Sequence, residues 1–82
     1  MKILLSRSTR KELDRLNDAL VLRINKKLTQ LSNNPYGQNS QKLEGGKGYR
    51  IRIGDYRVVY LVNKESQIIL IIKIGHRKDV YR

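Results

Sequence analysis

Four arginines carry the clearest chemical signal in this 82-residue chain: Arg50, Arg52, Arg57 and Arg77. A guanidinium is planar, forks bidentately onto phosphate oxygens, and keeps its charge when partly buried. Gathered on a rigid support, such groups stabilise charge that develops on a phosphoryl group in a transition state. The acids point away from a metal centre. Asp14, Asp18, Glu44, Asp55, Glu65 and Asp79 are scattered, so no carboxylate cluster is on offer for Mg²⁺. Cysteine is absent and His76 is the single histidine, which leaves no thiolate or His-rich site. No metal and no cofactor is expected. If such a chain cuts a nucleic acid, RNA is the favoured substrate, because its own 2′-OH can attack the adjacent phosphate. Protons then have to move, and arginine stays protonated. Two carriers remain. One is His76, since imidazole is the side chain that ordinarily titrates near neutrality. The other is Tyr81, whose phenolate a field of arginines favours. Tyr81 could equally stack on a base, and each has a plainer reading: a solvent-facing strand end for His76, and packing on a sheet edge for Tyr81.

Three of these arginines sit in a stretch that reads as a β-hairpin, residues 49–60, YRIRIGDYRVVY. Gly54-Asp55 separates two alternating runs, and glycine first in a two-residue loop suits a type II′ turn. That turn pairs Ile53 with Tyr56, Arg52 with Arg57, Ile51 with Val58, Arg50 with Val59, and Tyr49 with Tyr60. Tyr49, Ile51, Ile53, Tyr56, Val58 and Tyr60 then share a core face. Arg50, Arg52, Arg57, Val59 and Leu61 share the other. Arg52 directly opposite Arg57 is a repulsive cross-strand pair that a fold has no use for. Something anionic belongs over that face.

The remaining elements position this hairpin. Residues 2–6 read as a short first strand buried on both faces. Thr9-Arg10-Lys11-Glu12 fits a capping box with Thr9 as N-cap, opening a helix with Leu13 and Leu16 on its apolar side. Asn17 or Asp18 caps a second helix, whose stripe is Leu20, Val21, Ile24, Leu28 and Leu31. Arg23, Lys26 and Lys27 lie off that stripe, as a solvated or a partner-binding face. Asn34-Pro35 stops the helix. The long polar connection that follows carries Leu43 as an anchor, with Lys42 and Lys47 within reach of an anion. After the hairpin and a turn at residues 63–67, the run 68–74 reads as a strand buried on both faces. Parity puts Lys73 and Arg77 on one face of it, and Ile69 and Ile71 with Val59 and Leu61 on the arginine side. The fold class is α+β, in the order β-α-α-β-β-β: a first strand at a sheet edge, an antiparallel helix pair on one face, and a three-stranded antiparallel meander.

Composition bounds the partners. The 82 residues make one domain, 1–82, with a small core. Eighteen Lys and Arg against seven acids give a net charge of +11, spread over both halves of the chain. Such a field attracts phosphate backbones. No run is long enough to span a bilayer, and no helix joins aromatic anchors to a basic face, so no membrane partner and a cytoplasmic location are expected.

The hairpin, the Ile-rich run and Gly75-His76-Arg77-Lys78-Asp79-Val80-Tyr81 together resemble the RelE/ParE superfamily of toxins from type II toxin–antitoxin systems. The resemblance extends over the whole chain, including the two helices and the Asn34-Pro35 break. It implies, in the RelE-like branch, a ribosome-dependent mRNA endoribonuclease that inhibits translation and arrests growth. It also implies site residues: Arg52, Arg57, Arg77 and Tyr81 at the chemistry, with His76 as the alternative proton carrier. Lys47, Arg50, Lys73 and Lys78 would hold RNA. The best-known RelE-type toxins have lysines where this chain has Arg50 and Arg52, which moves proton transfer toward Tyr81. The implied partners are ribosome and mRNA, and a cognate antitoxin. Charge complementarity makes the antitoxin's toxin-binding segment acidic. Operator DNA is reached only through the antitoxin. Two alternatives stand beside this reading: a ParE-like gyrase inhibitor without nuclease activity, and a non-catalytic RNA-binding domain.

Overall fold

A computed structural model describes residues 1–37, 40–43 and 48–76. The expectations for Lys47, Arg77, Lys78 and Tyr81 lie outside the described residues. The elements run β1 (Lys2–Leu5), α1 (Arg7–Asp14), α2 (Asp18–Asn33), β2 (Gln41–Lys42), β3 (Tyr49–Ile53), β4 (Tyr56–Asn63) and β5 (Ile68–His76). They build one five-stranded sheet in the order β1-β5-β4-β3-β2. The meander β3-β4-β5 is antiparallel, and β1 joins it at an edge, parallel to β5. Ile24, Leu28 and Leu31 of α2 pack on Ile51, Ile53, Val58, Tyr60, Ile69, Ile71 and Ile74 of the sheet, so the helix layer covers one face. Among the described residues, no helix is long and apolar enough to cross a membrane.

The helix boundaries have local causes. Asn17 caps α2: its Oδ1 accepts from the Leu20 backbone N–H at 2.9 Å. Asn34, extended at φ −150° and ψ 90°, ends it before Pro35. The cap of α1 differs from expectation. Ser6 is the N-cap, its Oγ accepting from Thr9 N at 3.2 Å, and Thr9 lies inside the first turn. Thr9 is fully buried, and its hydroxyl donates to Ile71 O at 3.1 Å. Two N-cap candidates overlap here: Ser6, by residue type, and Thr9, through Thr9-x-x-Glu12. The first leads the chain straight from β1 into the helix and spends the Thr9 hydroxyl on a strand carbonyl. Thr9→Val removes that buried donor, and we expect a loss of about 1–2 kcal/mol of stability in chemical denaturation.

The strands at the β1 side are buried on one face rather than two. β1 alternates, with Lys2 and Leu4 exposed and Ile3 and Leu5 half-buried. In β5 the pairing with β4 shifts between Val59 and Tyr60: Val59 faces Lys73, yet Tyr60 faces Ile71. Ile72 is therefore the extra residue of a β-bulge, and simple parity fails across it. Ile69 and Ile71 are fully buried on the helix side, not on the arginine side as strict alternation requires. The apolar residues on the arginine side are instead Leu61, Leu70 and Leu4, paired in a row across β4, β5 and β1, with Val59 and Ile68 on neighbouring pairs.

The connection after α2 is held at its described ends. The buried Tyr60 hydroxyl donates to Pro35 O at 2.6 Å and shares a short hydrogen bond with Ser40. Burial pushes the Tyr60 phenol above its ordinary range, and the bond to Ser40 opposes that in part. Leu43 is half-buried, and its backbone N–H donates to Gly48 O at 3.0 Å.

Candidate nucleic-acid interface

The hairpin forms in the expected register. Ile53 pairs with Tyr56, Arg52 with Arg57, Ile51 with Val58, Arg50 with Val59, and Tyr49 with Tyr60. Gly54 has φ +60° and Asp55 is not in the left-handed region, which is the II′ pattern. A Cβ at Gly54 would stand 3.3 and 3.4 Å from the two terminal nitrogens of Arg23, so the α2 guanidinium lies over the turn. Gly54→Ala adds backbone strain at a positive φ and displaces Arg23. We expect it to cost about 1–2 kcal/mol by thermal or chemical denaturation.

This register places Arg50, Arg52 and Arg57 on the face away from the helices. Arg52 is exposed; Arg57 is half-buried, and its Nε is shielded from solvent. On the β5 side Arg57 faces Gly75, which presents no side chain. Lys73, exposed and paired with Val59, lies diagonal to Arg57 on the same face. Arg50 is half-buried, and its Nε and Nη2 donate to Gln41 Oε1 at 3.2 and 2.9 Å. Gln41 is the residue directly across from Arg50 in β2. Sequence reasoning missed it, because two residues of strand inside a polar loop carry no periodic signal. The one ion pair between described residues is Arg15 Nη1 to Glu12 Oε1 at 3.7 Å, on the helix layer.

His76 is not brought to the arginine face. It pairs with Tyr56, and their rings meet edge to face at 5.6 Å, on the helix side of the sheet. The core assignment of the tyrosines holds for Tyr49, Tyr56 and Tyr60, which pack in or against the core. Tyr36, uninformative in sequence, caps a row of rings: it meets Tyr49 at 5.3 Å, and Tyr49 stacks on Tyr60 at 5.7 Å.

The arginine face thus has two halves. Near the β3–β4 turn it is cationic, through Arg50, Arg52, Arg57 and Lys73. Toward the β4–β5 turn it is apolar, with a broad cleft of ≈ 650 Å³ bordered by Leu61, Ile68, Leu70, Gly48 and Lys64. Preorganised guanidinium groups on a strand pair suit a phosphodiester, and the apolar half suits a protein side chain.

Comparison with known proteins bears on the whole chain. A family model described as the ParE toxin of the type II toxin–antitoxin system, parDE, matches residues 3–81. Among solved structures, a chain of the archaeal RelE–RelB complex from Pyrococcus horikoshii OT3 is 32% identical, with a TM-score of 0.84 over 95% of this chain and 96% of that one. The isolated E. coli RelE toxin is 27% identical, with a TM-score of 0.82 over 98% of this chain and 89% of that one. The RelB–RelE antitoxin–toxin complex from Methanococcus jannaschii contains a chain 26% identical, with a TM-score of 0.74 over 95% and 94%. A comparison with curated proteins returns no match. A helix pair on a five-stranded sheet, matched along nearly its full length, defines a toxin of the RelE/ParE superfamily. Within it, the chain belongs to the ParE toxin family of type II toxin–antitoxin systems.

Proposed function

We propose that this toxin is an mRNA endoribonuclease that works on the ribosome, in the manner of the RelE-like branch. The observation that carries the reading is the Arg52–Arg57 pair. Two cations face each other across β3 and β4, beside Lys73, with Arg52 and Lys73 exposed. Like charges at a directly opposed cross-strand position repel, and two guanidinium groups side by side suit a bound phosphate.

In this mechanism Arg57 and Arg77 grip the scissile phosphate, Arg52 orients it, and Arg50, held by Gln41, contacts the backbone. The RNA 2′-oxygen attacks the adjacent phosphorus in line. A 2′-O–P bond forms, the P–O5′ bond breaks, and a cyclic phosphate and a free 5′-hydroxyl result. The 2′-proton leaves, and a proton reaches the departing 5′-oxygen; Tyr81 is assigned to that transfer, with His76 as the alternative. His76's position beside Tyr56, on the helix side, favours Tyr81. Among the described residues no cluster of acids or histidines could hold a metal, and in this reading the arginines supply charge stabilisation. Lys47, Lys73 and Lys78 add attraction to RNA, and the net charge of +11 suits a ribosomal RNA surface.

The partner that silences the toxin is a cognate antitoxin, as in the solved RelE–RelB complexes. Its toxin-binding segment is acidic and amphipathic. Acidic residues meet the cationic half of the arginine face, and apolar residues meet Leu4, Leu61 and Leu70. A second reading, inhibition of gyrase without cleavage, is favoured by one observation: the matching family model bears the ParE description. Conditional expression with growth measurement and mapping of mRNA ends separates the two. Growth arrest with new mRNA ends inside reading frames supports the nuclease. Arrest with intact messages and inhibited supercoiling supports the gyrase reading.

A further inference from the structure

The helix layer carries a cationic track that none of the roles above uses. Arg23, Lys27, Gln30 and Asn34 recur at helical spacing along α2 and its C-cap, so they share one side of it. That side borders β3. Arg23 lies over Gly54 at the hairpin turn. Lys27, half-buried, lines a cleft of ≈ 210 Å³ with Gln30, Asn34, Ser40 and Ile51. β2 pairs only with Tyr49 and Arg50, and no described strand covers Ile51–Ile53 on that side. No described carboxylate pairs with Arg23 or Lys27. The track therefore begins at the turn, two residues from Arg52, and runs from Arg23 to Lys27 past the polar side chains of Gln30, Asn34 and Ser40.

We infer that this groove between α2 and the β3 edge binds a second stretch of the same single-stranded RNA. The strand leaves the arginine face over the hairpin turn, and Arg23 and Lys27 take successive phosphates. The inference rests on the nuclease reading for the strand's starting point. An RNA whose scissile phosphate sits on Arg52 and Arg57 has to continue past one end of the hairpin. The turn is the end where an unpaired guanidinium waits, one helical turn from a half-buried lysine in a cleft. The outer rim of α2, with Lys26, is ordinary solvated surface by comparison.

The test uses 2′-O-methyl oligoribonucleotides, which cannot be cut, so binding is read apart from cleavage. Probes of about four and about ten nucleotides cover the arginine face alone or both surfaces. The variants are the pair Arg23→Ala with Lys27→Ala, and the charge-keeping pair Arg23→Lys with Lys27→Arg. For the alanine pair we expect binding of the longer probe to weaken about tenfold and its salt slope to fall by about 1.4, since each single-strand phosphate contact contributes about 0.7. Binding of the short probe stays unchanged. The charge-keeping pair retains the slope. Equal affinity and slope for wild type and the alanine pair on the longer probe overturns the inference. So does an equal loss on both probes, which would mark damage to the fold. Loss of binding to a polyglutamate peptide, with RNA binding intact, overturns it in favour of an acidic protein segment. If wild-type protein cleaves no mRNA on ribosomes but the length-dependent result holds, the groove stands and the nuclease reading falls.

Discussion

Replacing Arg57 by alanine is expected to lower single-turnover mRNA cleavage on ribosomes by about a hundred- to a thousandfold, the effect of removing one preorganised donor to a developing charge. Arg57 is singled out by position. It is half-buried with its Nε shielded, faces Gly75 on one side and Arg52 on the other, and has Lys73 on the diagonal. A guanidinium in that setting gives up little freedom when it takes a phosphate. Arg52 is exposed, and Arg52→Ala is expected to cost less, about tenfold. Arg57→Lys retains charge and loses the fork, so it falls between wild type and alanine. The fold is expected to survive, because Arg57 is half-buried on a strand face outside the core cluster and loses only the packing of its side-chain stem. A melting curve for each variant, beside the cleavage rate, separates the two effects. Full cleavage by Arg57→Ala would remove Arg57 from the site.

The second large effect concerns neighbours on opposite faces of β5. Ile71→Ala is expected to destabilise the protein by about 2–5 kcal/mol, the range for truncating a fully buried aliphatic side chain. Ile71 is fully buried in the core cluster, and its carbonyl receives both Ser6 N at 3.0 Å and the Thr9 hydroxyl at 3.1 Å. Leu70, one residue earlier, is half-buried between Leu4 and Leu61 on the arginine face. Leu70→Ala is expected to cost about 1 kcal/mol in stability. Its larger signature is weaker neutralisation by the antitoxin, read as a faster dissociation of the complex. Urea denaturation of both variants checks the assignment of faces. A small loss for Ile71→Ala and a large one for Leu70→Ala would place the bulge wrongly.

How far the sequence was legible varies from element to element. The hairpin was readable because Gly54-Asp55 and the alternation around it are local, and a two-residue turn leaves one register. The order of elements and the edge position of β1 were readable for similar reasons. The face assignment of Ile69 and Ile71 was not. Parity assumes an unbroken strand, and a bulge at Ile72 inside an all-apolar run leaves no mark. Thr9 takes the N-cap place in the sequence reading because only Thr9-x-x-Glu12 completes a capping box, whereas the tertiary bond of Thr9 to Ile71 O leaves Ser6 as the cap. Gln41 was invisible because its partner, Arg50, is reached through pairing with β3 and not through local pattern. Arg23 and Lys27 read as a solvated or a partner-binding face, since a cationic row beside an apolar stripe looks the same whether it faces water or a sheet edge.

The central claim is that the arginine face of this toxin cuts messenger RNA. The most direct measurement combines purified wild-type protein with ribosomes translating a defined mRNA, and maps the 5′ ends formed. The expected result is cleavage inside the reading frame that depends on translation, leaves 5′-hydroxyl ends and is lost with Arg57→Ala. Intact mRNA on translating ribosomes, alongside inhibition of supercoiling by the same preparation, would contradict it.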